Sequence, residues 1–195
     1  MSKRWDGGSA ALNRVTYSFL EGRTYVITGR SGAGKTTLLN VLAGYVVPDA
    51  GRVTRRGPVG YLFQDDLLFS ALSVRSNVVI AANARVGVAD RVPTIDDRLE
   101  SVGLLHLAEH RAALLSGGEK KRLQLAQILA GRPHAVLFDE PCSSLDEEAI
   151  AQVCGVIDGA FEGCTKVVVT HDMSLLERLT EPIRLLLKDG RLVGE

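Results

Sequence analysis

GRSGAGKT, Gly29 to Thr36, decides the fold. It follows the apolar run Tyr25-Val26-Ile27 and opens a second one, Leu38-Leu39-Asn40-Val41-Leu42-Ala43. With a strand before it and a helix after it, the pattern G-x-x-x-x-G-K-[ST] stands in the setting of a phosphate-binding loop. Gly29, Gly32 and Gly34 let the backbone take positive φ and come close to a ligand. Backbone amides from Gly29 through Arg30, Ser31, Ala33 and Lys35 to Thr36 and Thr37 then form an anion nest. The positive end of the following helix adds to it. Lys35 brings a mobile charge to the outer phosphates, and Thr36 offers a hydroxyl to Mg²⁺, a cation that prefers hard oxygen ligands. A plain glycine-rich turn requires neither the Lys-Thr pair nor both flanks, so the chain is expected to bind a nucleoside triphosphate.

Two other strand ends carry polar groups. His134 to Phe138 reads as a buried strand that ends in Asp139-Glu140, and Lys166 to Thr170 as another that ends in His171-Asp172. Open α/β sheets place ligands at the carboxyl ends of their strands. Alternation puts Asp139 and Glu140 on opposite sides, free for different tasks. Asp139 is expected to hold Mg²⁺ through water, Glu140 to polarise a water beside the γ-phosphate, and His171 to sense that phosphate.

Leu115-Ser116-Gly117-Gly118-Glu119 is the second key stretch. Ser116 and Glu119 fit a capping box for a helix that ends near Ala130, before Gly131 and Pro133. The Gly-Gly pair does nothing for a cap, but it bares the amides of the first turn. Within one molecule that is a second anion site without a partner.

At 195 residues the chain suits one domain of ordinary size. Lys plus Arg and Asp plus Glu are both 23, so the formal charge is zero and no polyanion-binding surface is indicated. No nucleic-acid partner is expected. No apolar run approaches the roughly 20 residues that span a bilayer. Cys142, Cys154 and Cys164 show no C-x-x-C spacing and are expected as free thiols of a reducing cytosol, with Cys154 in the core.

The remaining elements follow from local signals. Val15, Tyr17 and Phe19 alternate with Thr16 and Ser18, which predicts a half-buried strand. Gly44 caps the helix that starts near Lys35. A short strand over Gly51 to Thr54 and another over Val59 to Phe63 are expected. Helices are predicted over about Val74 to Ala84, from Thr94 to Gly103, and over Leu105 to His110. Asp146 opens a helix with the apolar stripe Ile150, Val153, Cys154, Ile157 and Phe161. Lys188-Asp189-Gly190 turns a terminal hairpin.

Taken in order, GRSGAGKT, Gln64, LSGGE, AVLFDE, SSLD and His171 resemble the nucleotide-binding domain of ATP-binding cassette (ABC) proteins over nearly the whole chain. The resemblance implies an α/β P-loop NTPase fold. That fold has a RecA-like core with a parallel sheet, an N-terminal antiparallel β part and an inserted α-helical subdomain. Residues 1–195 would be a single ABC ATPase domain, with its core at 1–66 and 116–195 and the helical subdomain at about 67–115. It also implies two chains that meet head to tail around two ATP molecules. Ser116, Gly117 and Gly118 of one chain would cap the γ-phosphate held by the other. By the same resemblance Gln64 contacts Mg²⁺ and the attacking water, His171 holds the γ-phosphate, and Asp146 lies in the loop that crosses the interface.

This chain departs from the family pattern at Cys142, where Thr is usual, and at Ser144, where Gly is common. In the family an aromatic about thirty residues before the loop lysine stacks on adenine. Trp5 stands at that distance from Lys35, and Tyr17 is a second candidate. The implied function is the ATP-binding subunit of a transporter, a homodimer that hydrolyses ATP. It would sit on the cytoplasmic, inner face of the cell membrane against integral permease subunits. The FQDDLLF run from Phe63 to Phe69 and the LSVRSNV after it resemble importers of small solutes and ions, which also employ a solute-binding protein. An exporter, a lipid-handling complex and a non-transport ABC ATPase are the alternatives.

Overall fold

The computed structural model describes residues 1–5, 10–83 and 93–194. Near the N-terminus, Lys3–Arg4 (β1) and Ala10–Leu12 (β2) form an antiparallel ribbon. The main sheet is built from Thr24–Thr28 (β3), Val59–Leu62 (β4), Ala135–Asp139 (β5), Thr165–Val169 (β6), Ile183–Lys188 (β7) and Arg191–Gly194 (β8). Its order is β4-β5-β6-β3-β7-β8, parallel except for β8. The β7–β8 turn carries positive φ at both Asp189 and Gly190, the Asp-Gly conformation that matches strand twist.

Parallel strands are covered on both faces and so read as continuous apolar runs. Val26, Leu62, Val136, Phe138 and Val168 point to one side. There they pack with Val74–Asn83 (α2), Ile95–Ser101 (α3), Gly117–Ala130 (α4) and Glu147–Gly159 (α5) through Val78, Leu99, Leu123 and Val153. Tyr25, Ile27, Tyr61, Leu137 and Val169 face the other side, against Leu38, Leu39 and Val41 of Lys35–Ala43 (α1). A last helix, Met173–Arg178 (α6), starts at the cap Asp172.

The caps are those the sequence predicts. Gly44 ends α1 in the left-handed conformation, and Thr94 with Asp97, and Ser116 with Glu119, close full capping boxes. The helix predicted to reach Ala84 is observed to Asn83, and Ala84 lies outside the described residues.

Three expected elements differ. Residues 15–20 form no strand. Their alternation instead feeds an aromatic cluster in which Tyr17 and Phe19 meet Tyr25 at ring distances of 5.9 and 5.0 Å. The Leu20 amide donates to the Tyr25 hydroxyl rather than to a ladder. Gly51 to Thr54 is irregular, with one isolated bridge, Ser2 to Ala50, beside it. The predicted helix from Leu105 to His110 is a single 3-10 turn over Leu105–Leu107.

Asn77 ties α2 to the segment before it. Its fully buried side chain accepts from the Phe69 amide and donates to the Phe69 and Ser73 carbonyls at 2.9, 3.1 and 3.0 Å. Asn77→Ala would leave those buried groups unpaired and is expected to destabilise the chain by about 3 kcal/mol, read from urea unfolding.

Candidate nucleotide site

The register of the sheet assembles the site. Val169 of β6 lies opposite both Ile27 of β3 and Asp139 of β5. The chain therefore leaves the sheet at one level in three places: at Gly29, at Glu140 and at Thr170-His171. From β3 it passes directly into the loop Gly29 to Thr36 and then into α1.

Two glycines in that loop are forced by close approach. A Cβ on Gly34 would stand 2.2 Å from the Ala11 carbonyl oxygen of β2, and one on Gly29 would stand 2.5 Å from that of Leu187. Gly34 also holds φ of 99° at the start of α1. The Lys35 ammonium folds over the loop and donates to the Gly29 carbonyl at 2.8 Å and that of Arg30 at 3.4 Å. Thr36 Oγ1 donates to Asp139 Oδ1 at 3.2 Å, and the Tyr61 hydroxyl donates to Asp139 Oδ2 at 3.3 Å.

Burial pushes the Asp139 carboxyl above its usual range, against the two hydrogen bonds that pull it down. The Tyr61 phenol is raised as well, by burial first and by Asp139 second. The raised Asp139 favours the neutral folded form, so its contribution is full below the unfolded value of 3.8 and is lost as pH rises through the folded value. At neutral pH the buried charge therefore disfavours folding. Asp139→Asn is expected to stabilise the metal-free chain at pH 7 by about 1 kcal/mol in thermal unfolding, with no gain at pH 3.

Glu140 departs from the simple alternation read from sequence. It lies one residue past β5 with φ of 49°, a left-handed conformation unusual for a side chain with a Cβ. Its amide donates to the Val169 carbonyl at 3.0 Å. This turn, rather than strand pleating, aims the carboxylate at His171. Glu140 Oε1 lies 2.8 Å from His171 Nδ1, and Oε2 accepts from the His171 amide at 3.3 Å. The Glu140 side chain is nearly buried at 12% exposure, whereas the imidazole is 72% exposed and free to meet a ligand.

Lys35, Thr36, Asp139, Glu140 and His171 thus converge. Trp5 lies beside them: its indole Nε1 donates to Thr37 Oγ1 at 3.3 Å, and half of its surface is exposed. Tyr17 is taken up by the aromatic cluster on β3. Ser116, Gly117 and Gly118 do not join the loop: among the described residues, no hydrogen bond links them to residues 29–37. Ser116 bonds Glu119 and Lys120 instead, and its amide holds the Glu119 carboxyl below its usual range. Ser116 and Gly117 are exposed, while a Cβ on Gly118 would meet Ala149 at 2.8 Å. Gln64 is exposed too, and its carbonyl accepts from the buried Lys121 of α4 at 2.7 Å.

Lys121, Gln124 and Tyr61 escaped the sequence reading. Lys121 also reaches Asp66 at 3.4 Å, and Gln124 donates to the Asp65 carbonyl at 3.1 Å, so α4 holds the segment after β4. The available signal was polar residues on the face of α4 that also carries Leu125 and Ile128. Beside this segment lies a groove of about 240 Å³ lined by Tyr61, Phe63, Leu67, Ala81 and Gln124. Tyr45, Leu67 and Phe69 stand exposed at 64%, 59% and 52%, an apolar surface of the kind that partners cover.

The hard oxygen donors of Thr36 and Asp139, the lysine and the glycine cradle suit a magnesium-bound triphosphate. Fold and site together define a P-loop nucleotide-binding protein. The family model for ABC transporters matches residues 12–143, and the chain belongs to that family. It is 32% identical over 212 residues to the methionine import ATP-binding protein MetN of Brucella abortus (strain 2308), covering 99% of this chain and 57% of that protein. The chain thus spans little more than half the length of that relative. It is 37% identical over 188 residues to the thiamine import ATP-binding protein ThiQ of Jannaschia sp. (strain CCS1), covering 89% of this chain and 81% of ThiQ. Among solved structures, the dimeric ATP-binding cassette MJ0796, in a post-hydrolysis state with ADP and Pi, superposes with a TM-score of 0.78. That pair shares 26% identity over 99% of this chain and 95% of that one.

Proposed function

We propose that this chain is the ATP-hydrolysing subunit of an ABC importer for a small molecule or ion, and that it acts as a head-to-tail homodimer. The observation that carries the reading is a division within one chain. Lys35, Thr36, Asp139, Glu140 and His171 gather at the carboxyl ends of the central strands, while Ser116 and Gly117 stand exposed at the start of α4, beside the buried Gly118, and among the described residues no hydrogen bond joins them to the phosphate loop. A second copy supplies the missing half of each site. The dimeric cassette similar to this chain supports the pairing, and the two import proteins support the direction.

In this reading the amides of Gly29 to Thr37, with the Arg30, Ser31 and Ala33 backbone among them, cradle the phosphates, and Lys35 meets the outer ones. Thr36, Gln64 and Asp139 would hold Mg²⁺, which supplies charge neutralisation on the transferred phosphoryl group. Trp5 stacks on the adenine. Glu140 accepts a proton of the attacking water as its oxygen bonds to the γ-phosphorus and the bond to the ADP oxygen breaks. His171, oriented by Glu140, donates to the γ-phosphate. The partner's Ser116, Gly117 and Gly118 cap that phosphate from the far side.

We further assign the core to residues 1–66 and 116–195, with about 67–115 as a helical subdomain. Among the described residues no helix is long and apolar enough to cross a membrane. The protein would dock peripherally on the inner membrane face, with a short helix of an integral permease subunit in the groove beside Phe63 and Leu67. A solute-binding protein would deliver the cargo. ATPase rate per chain, measured against chain concentration, tests the pairing: it is expected to rise with concentration until the dimer saturates. A constant rate per chain at all concentrations would overturn the reading.

A further inference from the structure

The strand that precedes Gln64 contains a buried tyrosine with two distinct neighbourhoods. The ring of Tyr61 lies at 4.2 Å and 24° from that of Phe63, and at 5.7 Å from that of Tyr45. Tyr45 in turn stacks on Phe63 at 5.9 Å and 20°. These rings reach the surface: Tyr45 is 64% exposed, and Tyr61 and Phe63 wall the groove described above. The other end of Tyr61 faces inward. Its residue opposite in β5 is Leu137, one pleat short of Asp139, and the length of the phenol bridges that distance to Asp139 Oδ2.

Asp139 is therefore held from both sides. Thr36 occupies Oδ1 and Tyr61 occupies Oδ2. A carboxylate that serves a metal must be fixed in rotation, and the groups that bond its free oxygen do that work. No other hydroxyl or amide side chain among the described residues bonds Oδ2. Aromatic pairs prefer offset-stacked geometry, so displacing the outer rings changes the position that the Tyr61 ring prefers.

We propose that Tyr61 is a positioning residue that fixes Asp139 for its metal and joins that carboxylate to the aromatic wall of the groove. The inference rests on the nucleotide-site reading above and adds a route by which an occupant of the groove alters metal affinity at the site. Tyr61→Phe removes the hydroxyl and leaves the stack. Tyr45→Ala loosens the stack from outside and leaves the hydroxyl.

The test uses Mn²⁺ in place of Mg²⁺, with ATP present and Glu140→Gln in every chain to prevent turnover. Free Mn²⁺ is counted by electron paramagnetic resonance. Tyr61→Phe is expected to weaken Mn²⁺ binding about tenfold, with ATP affinity in EDTA and the far-ultraviolet circular dichroism unchanged. Tyr45→Ala is expected to weaken it about threefold. Mn²⁺ affinity within twofold of the parent in Tyr61→Phe would overturn the positioning role, and parental affinity in Tyr45→Ala would overturn the link to the groove. A parent chain that bound neither ATP nor Mn²⁺ would instead bring down the nucleotide-site reading, and the inference with it.

Discussion

Replacing Glu140 with Gln is expected to lower ATP turnover by about 10³-fold, within the range general-base catalysis supplies. ATP affinity should change by less than about threefold. The substitution is nearly isosteric, so the left-handed turn at Glu140 and the backbone bond to Val169 are retained. What is lost is the proton acceptor. The amide can still accept from the His171 backbone amide, now at 3.3 Å from Oε2, so the imidazole stays near its place. The check is single-turnover hydrolysis of radiolabelled ATP beside equilibrium binding of the same nucleotide. Turnover within tenfold of the unmodified chain would remove Glu140 from the role of base.

Lys35→Ala should act on the other quantity. In the present structure its ammonium satisfies two loop carbonyls, those of Gly29 and Arg30. A triphosphate offers stronger, charge-assisted acceptors at the same place. Losing the charge is expected to weaken ATP binding about 100-fold, or about 2.7 kcal/mol. AMP, which lacks the outer phosphates, should show a much smaller loss. Isothermal titration with both nucleotides measures the difference. Equal losses for ATP and AMP would show that the substitution had collapsed the loop rather than removed a phosphate contact.

How much of this was legible in the sequence depended on whether the signal was local. The phosphate loop, the cap at Gly44, the capping box of Ser116 and Glu119 and the Asp189-Gly190 turn are specified within a few residues, and each stands where the sequence reading put it. Residues 15–20 show the opposite case. Their alternation is real, but its apolar members are satisfied by Tyr25 across the chain rather than by a strand partner. The strand order, with β3 between β6 and β7, is a tertiary fact that no local pattern carries.

At the site, the residue types were readable but their directions were not. Asp139 meets Thr36 and Tyr61 while Glu140 meets His171, and it is the positive φ at Glu140, not alternation, that turns the chain out of the strand. Tyr61 reads as one more apolar strand residue until its hydroxyl is seen on Asp139. Lys121 and Gln124 went unread in the sequence, and the fold buries them against the Gln64 segment.

The sharpest measurement is the mass of the Glu140→Gln chain in solution with magnesium and ATP, by sedimentation velocity, with and without a second substitution, Ser116→Arg. Two chains per particle with the single substitution, and one chain once the arginine blocks the exposed first turn of α4, is the result that a site shared between copies requires. A single chain in both samples, or a pair that forms equally well with the arginine in place, would contradict it.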